Sequence, residues 1–313
     1  MKKRMLAILL LALLVVNISS CNSGSQSESE EPFENVGTTG AKFERTDEKI
    51  TESEVDAETL EGEYDPVTNM RYILNDDGKS YSVCPGWLPD VVKELVFPVE
   101  YKGLPVTKLY GKCLLSEISI ETIIIPEGIK EILISFQYCL NIKNIYIPAS
   151  VVYIRGNICS SRPTMGMPAF VRSNVIEKIV VAEGNPYYYV DGNCLIERSS
   201  KKIILGCNNS VIPDDGSVKI IGEDAFANCK SLETIILPKS ITELEYSAFI
   251  NCPNLKQVYI TSSVSEDKKI VNFDPETVFG YDSERIIYVP DAESLEIYSK
   301  VFGSYTKFEI GKP

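Results

Sequence analysis

The sequence predicts an α/β-type solenoid, an array of about eight coils with a parallel β-sheet on one face, a β-hairpin cap at its start and a helical cap at its end. Three observations carry that reading. First, Ile221, Ala225-Phe226, Cys229, Leu232, Ile235 and Leu237-Pro238 are answered by Leu244, Ala248-Phe249, Cys252, Leu255, Val258 and Ile260, with the Ala, Phe, Cys and Leu landmarks recurring at an offset of 23 residues. Second, worn copies align on a closing proline: Leu109, Leu114, Ile120, Ile123, Ile125-Pro126, then Ile132, Phe136, Cys139, Ile142, Ile145, Ile147-Pro148. Third, fragments end at Leu95-Val96-Phe97-Pro98, Ile179-Val180-Val181-Ala182, Val211-Ile212-Pro213 and Ile287-Tyr288-Val289-Pro290. Stacked units bury a continuous core once about three are present, and this chain has more.

The elements follow in chain order. Lys2, Lys3 and Arg4 precede an apolar run from Met5 to Val16 and then Asn17-Ile18-Ser19-Ser20-Cys21. A basic start, a short apolar stretch and small residues describe a secretory signal over residues 1–20, too short to span a bilayer. An uncleaved membrane anchor is the alternative. Residues 21–63 form an acidic tether: positions 22–65 carry fourteen Asp and Glu against Lys42, Arg45 and Lys49, and so account for most of the chain's net charge of -13. Such a segment buries too little apolar surface to offset its ordering entropy, and as a free coil it reaches roughly 35 Å. The simplest role for it is a spacer.

Residues 64–313 are the repeat domain. Tyr72-Ile73-Leu74 and Tyr81-Ser82-Val83, joined across Asn75-Asp76-Asp77-Gly78, predict a hairpin over the first coil. In each coil a segment such as Thr234 to Pro238 predicts a short strand, because β-branched residues alternate at period two and the proline stops them. Leu232, Ile235 and Leu237 point inward; Ala225-Phe226 returns as a turn or short helix with Phe226 in the middle. Residues 155–173, with Cys159, Met165 and Met167, fit no repeat and predict an insertion. Asp191-Gly192 predicts a second hairpin. After Pro290, Asp291 caps a helix with Leu295, Tyr298, Val301 and Phe302 on one face and Lys300 near its end.

Several of these segments resemble the BspA-like leucine-rich repeat family of surface and secreted proteins over most of residues 70–310. Gly103-Leu104-Pro105-Val106-Thr107-Lys108-Leu109 looks like that family's first repeat, and Ala225-Phe226-Ala227-Asn228-Cys229 like its repeat core. Glu183 to Tyr188 with Val190 to Ile196 is similar to the hairpin-bearing insert between coils. Ile18 to Cys21 separately resembles the bacterial lipobox, which implies cleavage before Cys21, lipidation of its thiol, and an extracytoplasmic domain held at a membrane.

The chemistry open to the chain is narrow. It contains no histidine, which removes Ser-His-Asp and Cys-His catalysis and the usual zinc ligand. No Cys-x-x-Cys pair occurs among the nine cysteines. Cys139, Cys229 and Cys252 share one place in their coils and predict a buried thiol ladder, while Cys194 and Cys207 are close enough in sequence to close a hairpin as a disulfide. Asp76-Asp77 and Asp214-Asp215 sit in glycine-containing turns, where acids are usually solvated; neither a glycosidase pair nor a calcium loop is spelled out. No cofactor or metal is expected. The negative charge excludes nucleic acid, which needs clustered Lys and Arg.

Alternation supplies the candidate site. If Ile235 and Leu237 face inward, Ile236 faces outward, and so do its equivalents Val96, Ile124, Tyr146, Val180, Val211, Tyr259 and Tyr288. Beside them runs a polar line, Thr122, Asn144, Lys178, Thr234 and Gln257. Aliphatic and tyrosine side chains next to hydrogen-bonding groups make the composition of a protein-binding face, although outward Val, Ile and Tyr also simply satisfy β-propensity. Tyr187, Tyr188 and Tyr189 offer a further aromatic patch. The resemblance implies adhesion to a host or cell-surface macromolecule. The alternatives are an assembly subunit of the cell envelope and, more remotely, a polysaccharide-acting enzyme.

Overall fold

The computed structural model describes residues 62–86, 92–110, 120–133, 141–155, 176–264, 270, 273–282, 284–303 and 306–313. The signal, Cys21 and the tether before residue 62 lie outside them, as do Leu114, Phe136, Cys139, and the 155–173 insertion apart from Arg155.

Strands β1 (Glu63–Asp65), β2 (Met70–Leu74) and β3 (Tyr81–Pro85) run antiparallel, with Leu74 opposite Tyr81 across the predicted turn. Asp77 closes that turn by accepting from the Lys79 and Ser80 amides at 2.8 and 3.0 Å. These bonds, the Lys79 amide foremost, hold its carboxyl below the usual range.

From β3 onward the pairing becomes parallel. β4 (Glu94–Val96), β5 (Glu100–Tyr101), β6 (Leu104–Leu109), β7 (Thr122–Ile124), β8 (Glu131–Ile132), β9 (Asn144–Ile147), β10 (Tyr153–Ile154) and β11 (Lys178–Val181) sort into two sheets. One has the order β4, β7, β9, β11; the other continues β3, β6, β8, β10, with β5 added to β6 as a hairpin. Leu95, Ile123, Ile145 and Ile179 from the first sheet pack in one buried core with Leu109, Ile132 and Ile154 from the second. Each such side chain stabilises the fold by about 1.5 to 3 kcal/mol.

A parallel sheet on one face only was expected. The second parallel ladder corrects this, and its strands of two residues explain the omission: Glu131-Ile132 is too short to show period-two alternation.

The chain then inserts β12 (Tyr188–Asp191) and β13 (Cys194–Glu197), an antiparallel hairpin turning through Gly192 and Asn193, both at positive φ. Such a turn matches the strand twist, and Asn tolerates the left-handed conformation. β14 (Lys202–Leu205) leads into the second half: β15 (Ile220–Ile221), β16 (Thr234–Leu237), β17 (Glu243–Leu244), β18 (Gln257–Ile260), helix α1 (Pro275–Phe279), β19 (Ile286–Val289), helix α2 (Ala292–Phe302) and β20 (Lys307–Ile310). Again there are two parallel ladders, β14-β15-β17 and β16-β18-β19-β20.

Between them the Ala225-Phe226 and Ala248-Phe249 segments form turns, as expected, joined by Phe226 N–H to Ala248 O at 2.7 Å and Phe249 N–H to Val278 O at 2.9 Å. Asp224, Asn228, Ser247 and Asn251 take the left-handed conformation at matching positions, so the backbone repeats residue by residue. Phe226, Phe249 and Phe279 stack with centroids 4.9 and 5.2 Å apart. Val278-Phe279 is thus a third copy of Ala-Phe.

Asp291 caps α2 by accepting from Ser294 N–H at 2.8 Å. Tyr298 is buried and Leu295 and Phe302 half-buried, but Val301 is exposed. At about 100° per residue Val301 lies roughly a quarter-turn from the centre of the other three. The helix is also not the last element: β20 follows it and joins β19 in parallel, a strand the sequence did not announce. Among the described residues no helix is long and apolar enough to cross a membrane.

Candidate binding surface

The outward positions fall into register as alternation predicts. In the first sheet Val96, Ile124, Tyr146 and Val180 are consecutive Cα partners, and so are Thr122, Asn144 and Lys178. Val96 is exposed, the other three of its row are half-buried, and Lys178 is exposed. Asn144 Nδ2 donates to Thr122 Oγ1 at 3.2 Å, tying the polar line across strands. In the second sheet Ile236, Tyr259 and Tyr288 align, with Thr234 beside Gln257. Ile236, Thr234 and Gln257 are exposed; Thr234 Oγ1 donates to Gln257 Oε1 at 3.3 Å. Tyr259 and Tyr288 are half-buried and stacked, 4.6 Å apart and 12° from parallel. Gly311 lies against Tyr288, so closely that a Cβ there would come within 2.5 Å of its Cδ1. The tyrosines therefore present edges and hydroxyls more than open ring faces.

One stripe was expected and two rows are found. After β11, Asn193 stands where the next strand would be: its Oδ1 accepts from Ile179 N–H at 3.1 Å and its Nδ2 donates to Glu177 O at 2.7 Å. Val211 is exposed but lies in no strand, and its N–H donates to Gly192 O in the hairpin turn at 2.8 Å. It leaves the row because the insert interrupts the sheet at that point.

The tyrosine patch on the insert also dissolves. Tyr188 is buried with its hydroxyl accepting from Ile154 N–H at 2.9 Å, Tyr187 packs against the core, and Tyr189 lies under Arg198 at 4.6 Å. Asn185 explains why this segment is fixed. It is buried, donates to Pro148 O and Val151 O at 2.9 and 3.1 Å, and accepts from the Tyr187 and Tyr188 amides at 2.9 and 2.8 Å.

Sequence reasoning missed an ion ladder beside the first row. Glu121 bridges Lys93 at 3.2 Å and Lys143 at 2.9 Å, and the two cations, Lys143 first, hold its carboxyl below the ordinary range. The signal was the alternation Lys93, Glu121, Lys143, Glu177 one residue before the polar line. It was equally missed at Arg285, whose guanidinium is buried and donates to three backbone carbonyls.

Five described cysteines, Cys84, Cys194, Cys207, Cys229 and Cys252, are buried free thiols. Cys229 and Cys252 sit together as the ladder predicts; the hydrogen bond to Cys252, reinforced by burial, pushes the Cys229 thiol up. Cys194 and Cys207 form no disulfide: Cys207 Sγ instead donates to Asn209 Oδ1 and receives Asn193 Nδ2, both at 2.9 Å. Burial raises Cys84 to about 11 and Cys194 to about 12. A thiol whose folded pKa lies above its unfolded one stabilises the fold fully below the unfolded value, near 9, and that contribution is lost as pH rises toward about 12. Cys194→Ala should therefore flatten the alkaline limb of a stability-versus-pH curve between about 9 and 12, read by urea unfolding; an unchanged limb would refute the assignment.

Among the described residues no group of three or more His, Cys, Asp or Glu is placed to hold a metal ion. A cavity of about 10 Å³ beside Pro275, Gly280, Asp282 and Arg285 has room for a single water.

No curated protein matches the chain. Solved structures similar to it include a leucine-rich repeat protein from T. pallidum (TpLRR; 17% identity, 80% of this chain and 100% of that chain, TM-score 0.38). Another is a leucine-rich repeat protein from Bacteroides ovatus (21% identity, 71% of this chain and 55% of that one, TM-score 0.38). A third, from Eubacterium ventriosum, is 13% identical over 72% of this chain and 77% of its own, with a TM-score of 0.33. The model of a BspA type leucine rich repeat region matches six copies over residues 101–181 and 200–271, a span that includes β6 to β11, β14 to β18 and the Ala225-Phe226 and Ala248-Phe249 turns. The repeat region of this chain belongs to the BspA-type leucine-rich repeat family.

Proposed function

We propose that the protein is an extracytoplasmic recognition protein, anchored through a lipid on Cys21, that binds a macromolecular partner through the two outward rows of its parallel sheets. The observation that carries this is the register of Ile236, Tyr259 and Tyr288 beside Thr234 and Gln257, apolar and tyrosine edges next to amide and hydroxyl groups on a rigid surface. Side chains already stacked have few rotamers left to freeze on binding, which lowers the entropic cost of association. Because the faces of Tyr259 and Tyr288 cover each other, a polypeptide suits the row better than a sugar ring, which needs an open aromatic face. Tyr146, Lys178 and Asn144 serve the first row in the same way. Adhesion to a host or cell-surface protein is the role we assign. No catalytic step is assigned.

Replacing Tyr146, Tyr259 and Tyr288 together by Ser should weaken capture by about a hundredfold or more, since a tyrosine anchor at the centre of an interface contributes about 2 kcal/mol. The array should stay folded by circular dichroism, because these side chains lie outside the buried core. Host matrix proteins and envelope extract from the same cell are compared as ligands. Capture that survives the triple substitution rejects the rows as the site; capture of envelope components alone favours an assembly role.

A further inference from the structure

The parallel sheet β16-β18-β19-β20 ends on a strand that, among the described residues, pairs on one side only. Gly311 N–H bonds to Val289 O at 3.0 Å while Val289 is the Cα partner of Ile310. Alternation in a parallel ladder then fixes which groups are used: those of Lys307, Glu309 and Gly311 face β19, and the N–H and C=O of Phe308 and Ile310 face away from it. The side chains tell the same story. Val289 is fully buried, yet Ile310, next to it on the core-facing side, is 54% exposed. The edge thus offers both unmet backbone groups and uncovered apolar surface, a combination that recruits another strand.

We infer that this edge is a self-association surface, on which β20 of a second copy of this chain pairs antiparallel about a two-fold axis at Phe308. The choice of occupant rests on charge. A two-fold axis through Phe308 sets Phe308 opposite Phe308 as the hydrogen-bonded pair and Lys307 of each copy opposite Glu309 of the other. Those two pairs fall at the non-hydrogen-bonded positions, where side chains approach most closely. Moving the axis to Glu309 keeps the hydrogen-bond parity but sets Glu309 against Glu309, which is repulsive. Lys307 and Glu309 lie 2.7 Å apart within the strand, Lys307 exposed and Glu309 half-buried with 42% of its side chain open to solvent, so both can turn toward a second copy. The strand is its own electrostatic complement only in the Phe308-centred register, and the isologous pairing it dictates is closed, giving a dimer rather than a filament.

Sedimentation velocity of the full chain in a non-ionic detergent tests this. The mass of the protein component should rise from one chain to two as concentration increases. Glu309→Lys replaces both attractive pairs by repulsive ones and should raise the dimer dissociation constant by about tenfold or more. The swap Lys307→Glu with Glu309→Lys restores opposite charges in the same register and should bring it back to within about threefold. Ile310→Pro removes a donor that faces away from β19 and should also yield monomer, with the far-ultraviolet circular dichroism of the parent chain. A chain that stays monomeric at every concentration overturns the proposal. So does a dimer indifferent to Glu309→Lys and Ile310→Pro, or one that the charge swap fails to rescue; a dimer lost only with the tyrosine-row substitutions places self-association elsewhere.

Discussion

Phe249→Ala is expected to lower the free energy of unfolding by about 3 to 5 kcal/mol, toward the upper end of that range. Phe249 is fully buried and is the middle ring of three, 4.9 Å from Phe226 and 5.2 Å from Phe279. Its removal forfeits two ring contacts, each contributing about 0.5 to 1.5 kcal/mol beyond area burial. The void resists collapse because its walls belong to three successive turns whose spacing is set by backbone bonds, Phe226 N–H to Ala248 O and Phe249 N–H to Val278 O. Phe226→Ala loses one described ring contact and should cost less. Tightness at that end is visible at Gly206, where a Cβ would meet the Phe226 ring at 2.2 Å, so Gly206→Ala should also destabilise by forcing the ring aside. Urea unfolding followed by tryptophan-independent circular dichroism reads all three. Equal costs for Phe249→Ala and Phe226→Ala would show that stacking contributes nothing beyond burial.

Much of this arrangement was legible in the sequence because a stacked repeat converts sequence offset into spatial neighbourhood. Leu232 and Leu255, or Ile235 and Val258, repeat at one offset and are all buried, and Thr234 pairs with Gln257 as the same offset demands. The outward rows follow from the inward ones by alternation, which is why the sequence alone marks Tyr146, Tyr259 and Tyr288 as outward. What escaped notice breaks the offset or is too short to show a period. Phe279 stands thirty positions after Phe249, seven more than the repeat offset of 23, so its membership of the ring stack is hidden. Glu243-Leu244 and Ile220-Ile221 are strands of two residues, which no alternation test detects.

Asn193 and Asn185 escaped for a different reason. Each substitutes side-chain amides for backbone partners, and nothing in composition marks an asparagine that does this rather than simply turning the chain. The division of one expected stripe into two rows is a direct result, since Asn193 satisfies the edge of β11 and the sheet stops there.

The loss of Arg285 should be about as damaging as that of Phe249, and by a separate mechanism. Arg285 is 7% exposed. Its Nε donates to Leu255 O at 2.9 Å and its Nη1 to Gly280 O and Phe279 O at 2.8 and 3.3 Å, while Asp282 lies 3.7 Å from Nη2. One planar fork thus joins the end of α1 to the segment before β18, and its charge sits 5.5 Å from the Phe279 ring. Burial lowers the guanidinium pKa and Asp282 opposes the shift, but an arginine so placed stays protonated.

Arg285→Met keeps the volume, orphans three carbonyls and leaves Asp282 without its buried partner, for an expected loss of about 3 to 5 kcal/mol. Arg285→Lys should recover little, because an ammonium cannot reach carbonyls that diverge from a fork. Acid titration separates the charge from the hydrogen bonds. Burial pushes the Asp282 carboxyl up, but the Lys256 hydrogen bond, the Glu284 amide and the Arg285 charge together hold it below the ordinary value. Its contribution is therefore present above the unfolded carboxylate pKa and lost as pH falls below about 4 through the lowered folded value. Arg285→Met should reduce that acid dependence as well as the stability at neutral pH, whereas Asp282→Asn should remove the acid dependence and leave the three carbonyl bonds in place. If Asp282→Asn destabilises at neutral pH as much as Arg285→Met, the ion pair and not the carbonyl fork holds α1 to β18.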